Sequence, residues 1–302
     1  MTRRVAAVDL GTNSIRLLVA NVDDGRVEEI HRETRIVRLG EGVDERRRLL
    51  PAPIARARNV LVDYRRTAER LGAGRTLLVA TSAVRDAENG EAFLGEIEWS
   101  YGFATRLLTG DEEAELTYRG VGRPDAIVVD VGGGSTELIG PDLRASLDVG
   151  SVRLTERFLR SNPPTPDELD EAAALVRSLL PELTPATTIG VAGTFTTLAA
   201  LELGRYDHAR THGFGLTRDA VERWTARLAS VPVEARTFPG LEPARAPVIV
   251  GGALIVREAM RHAGLEAIEV SERDLLDGAA LEAAALREPA EGDAPPGAYT
   301  CC

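Results

Sequence analysis

Short apolar runs, each closed by a cluster of Gly, Thr, Ser, Asn or Asp, alternate along the chain with longer stretches whose apolar residues return at helical spacing. The first pattern predicts buried strands and the second amphipathic helices. Residues 5–10 (VAAVDL) and 15–20 (IRLLVA) predict two strands around the turn Gly11-Thr12-Asn13-Ser14. Residues 76–80 (TLLVA), 104–108 (ATRLL), 126–130 (AIVVD), 136–140 (TELIG), 188–192 (TIGVA) and 267–271 predict further strands. A helix is predicted from about Pro51 to Leu71. Ile54, Leu61, Tyr64, Ala68 and Leu71 fall near one face, and Gly72 stands at the C-terminal cap. Thr109-Gly110-Asp111 opens another helix, running through Glu112 to Tyr118. At 165–168 Thr165 is the N-cap, Pro166 the first helical residue and Glu168 the closing acid of a capping box. Further helices are predicted over 198–203, 218–229, 246–262 and 274–287. Strands alternating with helices give the α/β class. Residues 21–50 read as a polar, Arg-rich stretch with no assigned element.

One unit occurs twice. A strand ends in Asp9 before Gly11-Thr12-Asn13-Ser14, and again in Asp130 before Gly132-Gly133-Gly134-Ser135, an offset of 130 − 9 = 121 residues. Repetition of such a unit predicts two duplicated domains facing each other, which suits a chain of 302 residues. The boundaries read as 1–123 for the first domain and 124–287 for the second, with the last helix packing back on the first. The Pro-, Gly- and acid-rich segment 288–302 reads as a disordered tail. Chemically, a Gly-rich turn lets backbone N–H groups converge on phosphate oxygens. An Asp at the end of each strand is placed to hold Mg²⁺ directly or through water. A third Gly-Thr segment, 190–197, stands at a strand–helix junction.

Composition narrows the chemistry. The net charge of −11 argues against broad nucleic-acid binding. It leaves room for a polyanionic substrate, because a local cluster of N–H groups, Arg and metal can overrule the global field. All 36 basic residues are Arg, so no Walker A loop with its Lys exists. The two cysteines, Cys301 and Cys302, make neither a disulfide framework nor a four-ligand zinc site. His208 and His212 lack the Glu of a zincin motif. Asp9 interrupts the first apolar run too early for a signal peptide. The longest apolar run, 246–256, is short of the ~20 residues that span a membrane. A cytoplasmic protein without membrane or nucleic-acid partners is expected.

The twin turns and the segment 190–197 resemble the two phosphate motifs and the adenosine-side motif of the actin, sugar-kinase and heat-shock ATPase superfamily. Within it, AAVDLGTNSIRLLVA at 6–20, VATSAVRDAENG at 79–90, TGDEEAELTYRGV at 109–121 and VVDVGGGSTELI at 128–139 resemble the exopolyphosphatase / guanosine-pentaphosphate phosphatase (Ppx/GppA) family. Residues 149–154, and PGL at 239–241 ahead of GGA at 251–253, add to the likeness. It covers residues 5 to about 285 and matches the short, two-domain members; longer relatives continue into a helical C-terminal region. The resemblance implies two duplicated RNase H-like (actin-like ATPase) domains with an interdomain cleft. It implies release of terminal orthophosphate from inorganic polyphosphate. The same cleft chemistry would serve guanosine pentaphosphate, with a link to the stringent response. Glu113 takes the place of the catalytic base, with Glu112 and Glu115 as alternates on spacing. Arg85 matches an arginine beside the phosphates, and Arg38 and Arg153 are candidates of the same kind. Gly11, Thr12, Asn13, Ser14, Gly132, Gly133, Gly134 and Ser135 are the implied phosphate cradle. Asp9, Asp130 and Glu137 are the implied site of Mg²⁺ (or Mn²⁺), and a homodimer is the implied assembly. A small-molecule kinase, or a chaperone or filament ATPase, are the other readings that fold allows.

Overall fold

The structure is a computed structural model that describes residues 1–183 and 186–287. The expected disordered tail, 288–302, lies outside the described residues. Contacts group the chain into two units, Met1–Gly120 together with the residues from Leu275 onward, and Val121–Asp274.

In the first unit β1 (Arg3–Leu10), β2 (Ser14–Asp23) and β3 (Arg26–Ile36) form an antiparallel meander. α1 (Val43–Arg46) and α2 (Pro51–Arg70) lead to β4 (Thr76–Ala80), which lies parallel to β1. α3 (Ser82–Arg85) and α4 (Gly90–Tyr101) lead to β5 (Ala104–Leu107), parallel to β4, and α5 (Gly110–Val121) follows. The sheet order is β3-β2-β1-β4-β5. β1 is apolar on both faces because both faces are covered. Ala6, Val8 and Leu10 pack with Ile15, Leu61 and Tyr64 on the side of α2. Val5 and Ala7 pack with Leu18, Val79 and Leu116 of α5, and with Leu276 and Ala280 of the chain's last helix, Leu275–Ala285. That helix meets α5 backbone to backbone: a Cβ at Gly278 would lie 2.0 Å from the Leu116 carbonyl oxygen.

The second unit repeats the plan. β6 (Ile127–Val131), β7 (Thr136–Gly140) and β8 (Leu143–Leu147) form a meander. α6 (Ser151–Phe158) and α7 (Pro166–Leu179) lead to β9 (Thr188–Val191), parallel to β6. Then come α8 (Ala192–Leu203), α9 (His208–Thr211), β10 (Phe214–Thr217), α10 (Arg218–Ala229), α11 (Ile249–His262) and β11 (Ala267–Val270). The last helix is thus α12. The sheet order is β10-β11-β9-β6-β7-β8, which without its edge strand β10 repeats the order of the first sheet. α7 starts as its sequence predicts. Thr165 Oγ1 accepts from Glu168 N at 3.3 Å, and Glu168 Oε2 accepts from Thr165 N at 2.9 Å.

β8, β10, α1, α3, α6 and α9 go beyond the elements that the pattern predicts, and three further differences have a physical reason. β3 (RVEEIHRETRI) falls in the stretch 21–50. It is an edge strand, and charges on such a strand deter pairing with other chains, which hides the apolar alternation. α4 carries Gly90 and Gly95 among its apolar residues, which weakens its helical signature. α8 begins at Ala192, so most of the Gly-Thr segment 190–197 is the first part of a helix. Gly190 before it is needed for packing, since a Cβ there would lie 2.3 Å from the Phe195 ring.

Candidate active site

The two Asp-containing turns are the same structure. Leu10 pairs with Ile15 and Val131 with Thr136, leaving four residues in each loop. Gly11 N donates to Ser14 O, and Gly132 N to Ser135 O, both at 3.1 Å. Each loop has its carbonyls held from behind. In the first unit Val37 N and Arg38 N donate to Asn13 O at 3.0 and 2.8 Å, and Gly40 N donates to Thr12 O at 2.8 Å. Gly40 permits this approach, because a Cβ there would lie 2.3 Å from Thr12 Cγ2. In the second unit the first N–H groups of α6, which no helical carbonyl can serve, do the holding. Ser151 N donates to Gly132 O at 2.9 Å, and Val152 N and Arg153 N to Gly133 O at 2.8 and 3.2 Å. Gly150 sits so close that a Cβ would lie 2.5 Å from the Gly133 carbonyl carbon. The N–H groups of Thr12, Asn13, Gly133 and Gly134 make no hydrogen bond within the described residues. A turn with its carbonyls tied back and its N–H groups unspent is a ready cradle for an anion.

The acids beside the turns differ in company. Asp9 accepts from Arg16 Nε and a terminal guanidinium nitrogen, both at 2.8 Å on Oδ2. Asp9 and Arg16 are cross-strand partners. The equivalent partners in the second unit are Asp130 and Glu137, because 137 − 121 = 16. They are 5% and 0% exposed. Ser146 Oγ donates to Glu137 Oε1 at 2.9 Å. Directly opposed residues of an antiparallel pair place their Cβ atoms ~5 Å apart on one face. Two opposed carboxylates make an all-oxygen donor set of the kind Mg²⁺ accepts alongside water and phosphate. Asp9 fits direct ligation less well, since a guanidinium already occupies Oδ2. Among the described residues no group of three or more His, Cys, Asp or Glu side chains is arranged to hold a metal by itself.

α5 presents the third part. Its cap is a reciprocal one: Glu112 N donates to Thr109 Oγ1 at 3.2 Å and Thr109 N donates to Glu112 Oε2 at 2.8 Å. Arg106 reaches Glu112 Oε1 at 2.5 Å and pairs also with Glu282 of α12. The Thr109 amide and then the Arg106 guanidinium hold the Glu112 carboxyl at about 2, well below its ordinary value. Glu113, one residue on, is turned inward and 7% exposed. Arg85, at the end of α3, donates to Leu108 O at 2.6 Å and lies 3.3 Å from Glu113 Oε2. The fold therefore brings Arg85 and Glu113 together. Glu115 is half-buried, Arg38 is exposed, and Arg153 is buried and paired with Asp148. Arg16 was missed in the sequence, although the register of a four-residue hairpin loop puts it opposite Asp9. Arg106 and Glu282 carried no local signal, being 176 residues apart.

The sequence profile of the Ppx/GppA phosphatase family matches residues 18–286. The chain belongs to the Ppx/GppA phosphatase family. As a member it is a phosphohydrolase on the two-domain actin-like ATPase fold. Among its relatives, Exopolyphosphatase 2 of Mycobacterium tuberculosis is 42% identical, over 93% of this chain and 98% of that protein. A solved exopolyphosphatase-like protein superposes with a TM-score of 0.87 at 34% identity, covering 93% of this chain and 97% of its own. The Ppx/GppA member of Aquifex aeolicus superposes with a TM-score of 0.77 at 32% identity, covering 93% and 97%. Among the described residues of this Ppx/GppA chain, no helix is long and apolar enough to cross a membrane.

Proposed function

We propose that this family member is an exopolyphosphatase that releases terminal orthophosphate from inorganic polyphosphate, with Glu113 as general base. The observation that carries the base assignment is the division of labour in the first turn of α5. Glu112 is spent on the cap and on Arg106, while Glu113 is buried beside Arg85. The names of the similar exopolyphosphatases support the substrate.

In this reading Glu113 accepts a proton from a water whose oxygen attacks the terminal phosphorus. The bond from that phosphorus to the bridging oxygen breaks, and the shortened chain leaves with the electron pair. Phosphoryl transfer asks mainly for positioning and charge stabilisation. Each turn by itself offers N–H groups to phosphoryl oxygens, Thr12 and Asn13 in the first unit and Gly133 and Gly134 in the second, and Ser14 and Ser135 add a hydroxyl donor to their own turns. Arg85 offsets phosphate charge and orients Glu113 through its 3.3 Å contact with Oε2. Asp130 and Glu137 are the residues that would hold Mg²⁺ (or Mn²⁺). The ion would neutralise part of the phosphate charge.

The test is orthophosphate release from short and long polyphosphate, guanosine pentaphosphate and ATP in parallel, with and without Mg²⁺. Polyphosphate is expected to be consumed, and Glu113→Gln to lose at least ~100-fold, the range for removal of a general base. Release from guanosine pentaphosphate alone would move the substrate and keep the base. No release from any of them by folded protein would sink the reading.

A further inference from the structure

Residues 37–50 join β3 to α2 as a strap fixed at both ends. At one end the strap holds the first phosphate turn, through the bonds of Val37, Arg38 and Gly40 to Asn13 and Thr12. At the other, Leu49 N donates to Asn89 Oδ1 at 2.8 Å and Asn89 Nδ2 to Leu49 O at 3.1 Å. Glu88 N also donates to Arg47 O at 2.8 Å. Val37, Leu39, Val43 and Leu49 are buried beneath it.

The crest of this strap is Arg46-Arg47-Arg48, the one run of three basic residues in the sequence. All three are exposed. None has a carboxylate partner among the described residues, whereas Arg16, Arg32, Arg58, Arg65, Arg85 and Arg106 of the same unit are all ion-paired. Arg46 lies along its own short helix, its Cδ and Nε 3.8 and 3.9 Å from the Cβ position of Gly42. Gly42 and Arg47 adopt left-handed backbone, with φ of 69° and 53°, which fixes the bend. At ~1.5 Å per residue for helix-like backbone, Arg47 stands ~10 Å along the strap from Gly40, the residue that touches Thr12. The neighbouring acids do not cancel the charge. Glu41 is taken by Arg56 at 3.1 Å, and residues 44–48, with Asp44 and Glu45 included, still sum to 3 − 2 = +1.

We propose that Arg46, Arg47 and Arg48 form a distal subsite for a linear polyanion, engaging phosphates of a chain whose end lies at the Thr12–Asn13 turn. The proposal rests on the exopolyphosphatase reading and sharpens it. A linear polyphosphate is charged along its whole length and reaches the strap. A nucleotide presents a base there, and a tripolyphosphate ends short of it. The strap therefore selects for long chains.

The experiment compares wild type with a triple variant, Arg46→Ser, Arg47→Asn and Arg48→Ser. Asn is chosen at 47 because it tolerates left-handed backbone. KM and kcat are measured on long polyphosphate and on tripolyphosphate at several salt concentrations. Direct binding of long polyphosphate and the melting temperature are read in parallel. The variant is expected to raise KM for the long chain ~10-fold or more. It is expected to flatten the slope of log KM against log salt by about 2, at ~0.7 for each phosphate that an arginine no longer neutralises. kcat/KM for tripolyphosphate stays unchanged. A triple Arg→Lys variant, which keeps the charge, restores long-chain affinity. Equal loss on both substrates at an unchanged melting temperature, or no loss on either, overturns the subsite. If wild type hydrolyses neither substrate, the exopolyphosphatase reading has failed. The binding arm then still decides: equal binding by wild type and variant overturns the subsite, and weaker binding by the variant upholds it.

Discussion

Replacing Glu112 by Ala separates the two adjacent acids of α5. The substitution removes the acceptor of Thr109 N, a bond of 2.8 Å, and one partner of Arg106 at 2.5 Å. Loss of a reciprocal cap costs about 1 kcal/mol. The ion pair is half-exposed, 36% and 39% for its two side chains, so screening limits it to about 0.5 kcal/mol. Arg106 keeps Glu282, so no buried charge is stranded. A total of about 1.5 kcal/mol corresponds to a fall of roughly 3–6 °C in melting temperature for a protein unit of this size. Activity falls only several-fold, because the first turn that orients Glu113 frays. Glu113→Gln behaves oppositely, with kcat down at least ~100-fold and little change in melting. The pH dependence has a definite sign. The Glu112 carboxyl sits at about 2 when folded, below its ordinary 4.5. Its stabilisation is therefore complete above pH 4.5 and is lost as pH falls toward 2. The melting temperatures of wild type and Glu112→Ala differ at neutral pH and converge through that window. Thermal melts from pH 7 to pH 2, with phosphate release at neutral pH, read both quantities. A ~100-fold loss of kcat in Glu112→Ala at unchanged melting temperature would overturn this division of roles and make Glu112 the base.

Gly150→Ala drives a Cβ to 2.5 Å from the backbone of Gly133. It is expected to displace the second turn, cost about 1–3 kcal/mol and raise KM for polyphosphate, as melts and kinetics will show. Gly278→Ala places its Cβ 2.0 Å from Leu116 O, so α12 is pushed from α5 and the stability read by thermal melts also falls by about 1–3 kcal/mol. Gly95→Ala is the contrasting case: nothing lies within 4 Å of the added carbon in mid-helix, and the expected result is a gain of about 0.5–1 kcal/mol. Glu137→Gln leaves one carboxylate in the all-oxygen pair. The Mg²⁺ concentration for half-maximal phosphate release is expected to rise at least ~10-fold by analogy with weakened metal sites, and an unchanged requirement would remove Glu137 from the metal.

Features that depend on neighbours along the chain are legible in the sequence. The Asp-to-Ser turns, 121 residues apart, return as loops sharing the bonds Gly11 N to Ser14 O and Gly132 N to Ser135 O. Thr165 and Glu168 form the capping box their spacing predicts. Turn and cap geometry arise from a few consecutive dihedrals and unpaired backbone groups, so local sequence is enough to specify them. Tertiary structure decided what depends on residues far apart. α12 is expected from the sequence to pack back on the first unit, but its sequence does not say against which residues. Its apolar face of Leu275, Leu276, Ala279, Ala280 and Ala283 packs with Val5, Ala7 and Val79 of the first. Asp9 and Asp130 look alike in sequence, and only strand pairing gives one an arginine and the other a second acid. Glu112 and Glu113 look equivalent too, until the Thr109 cap and the arginine of β5 engage one and leave the other beside Arg85. Hydrophobic period and turn chemistry are local properties, whereas the charge environment of an acid is fixed by whichever segments packing brings against it.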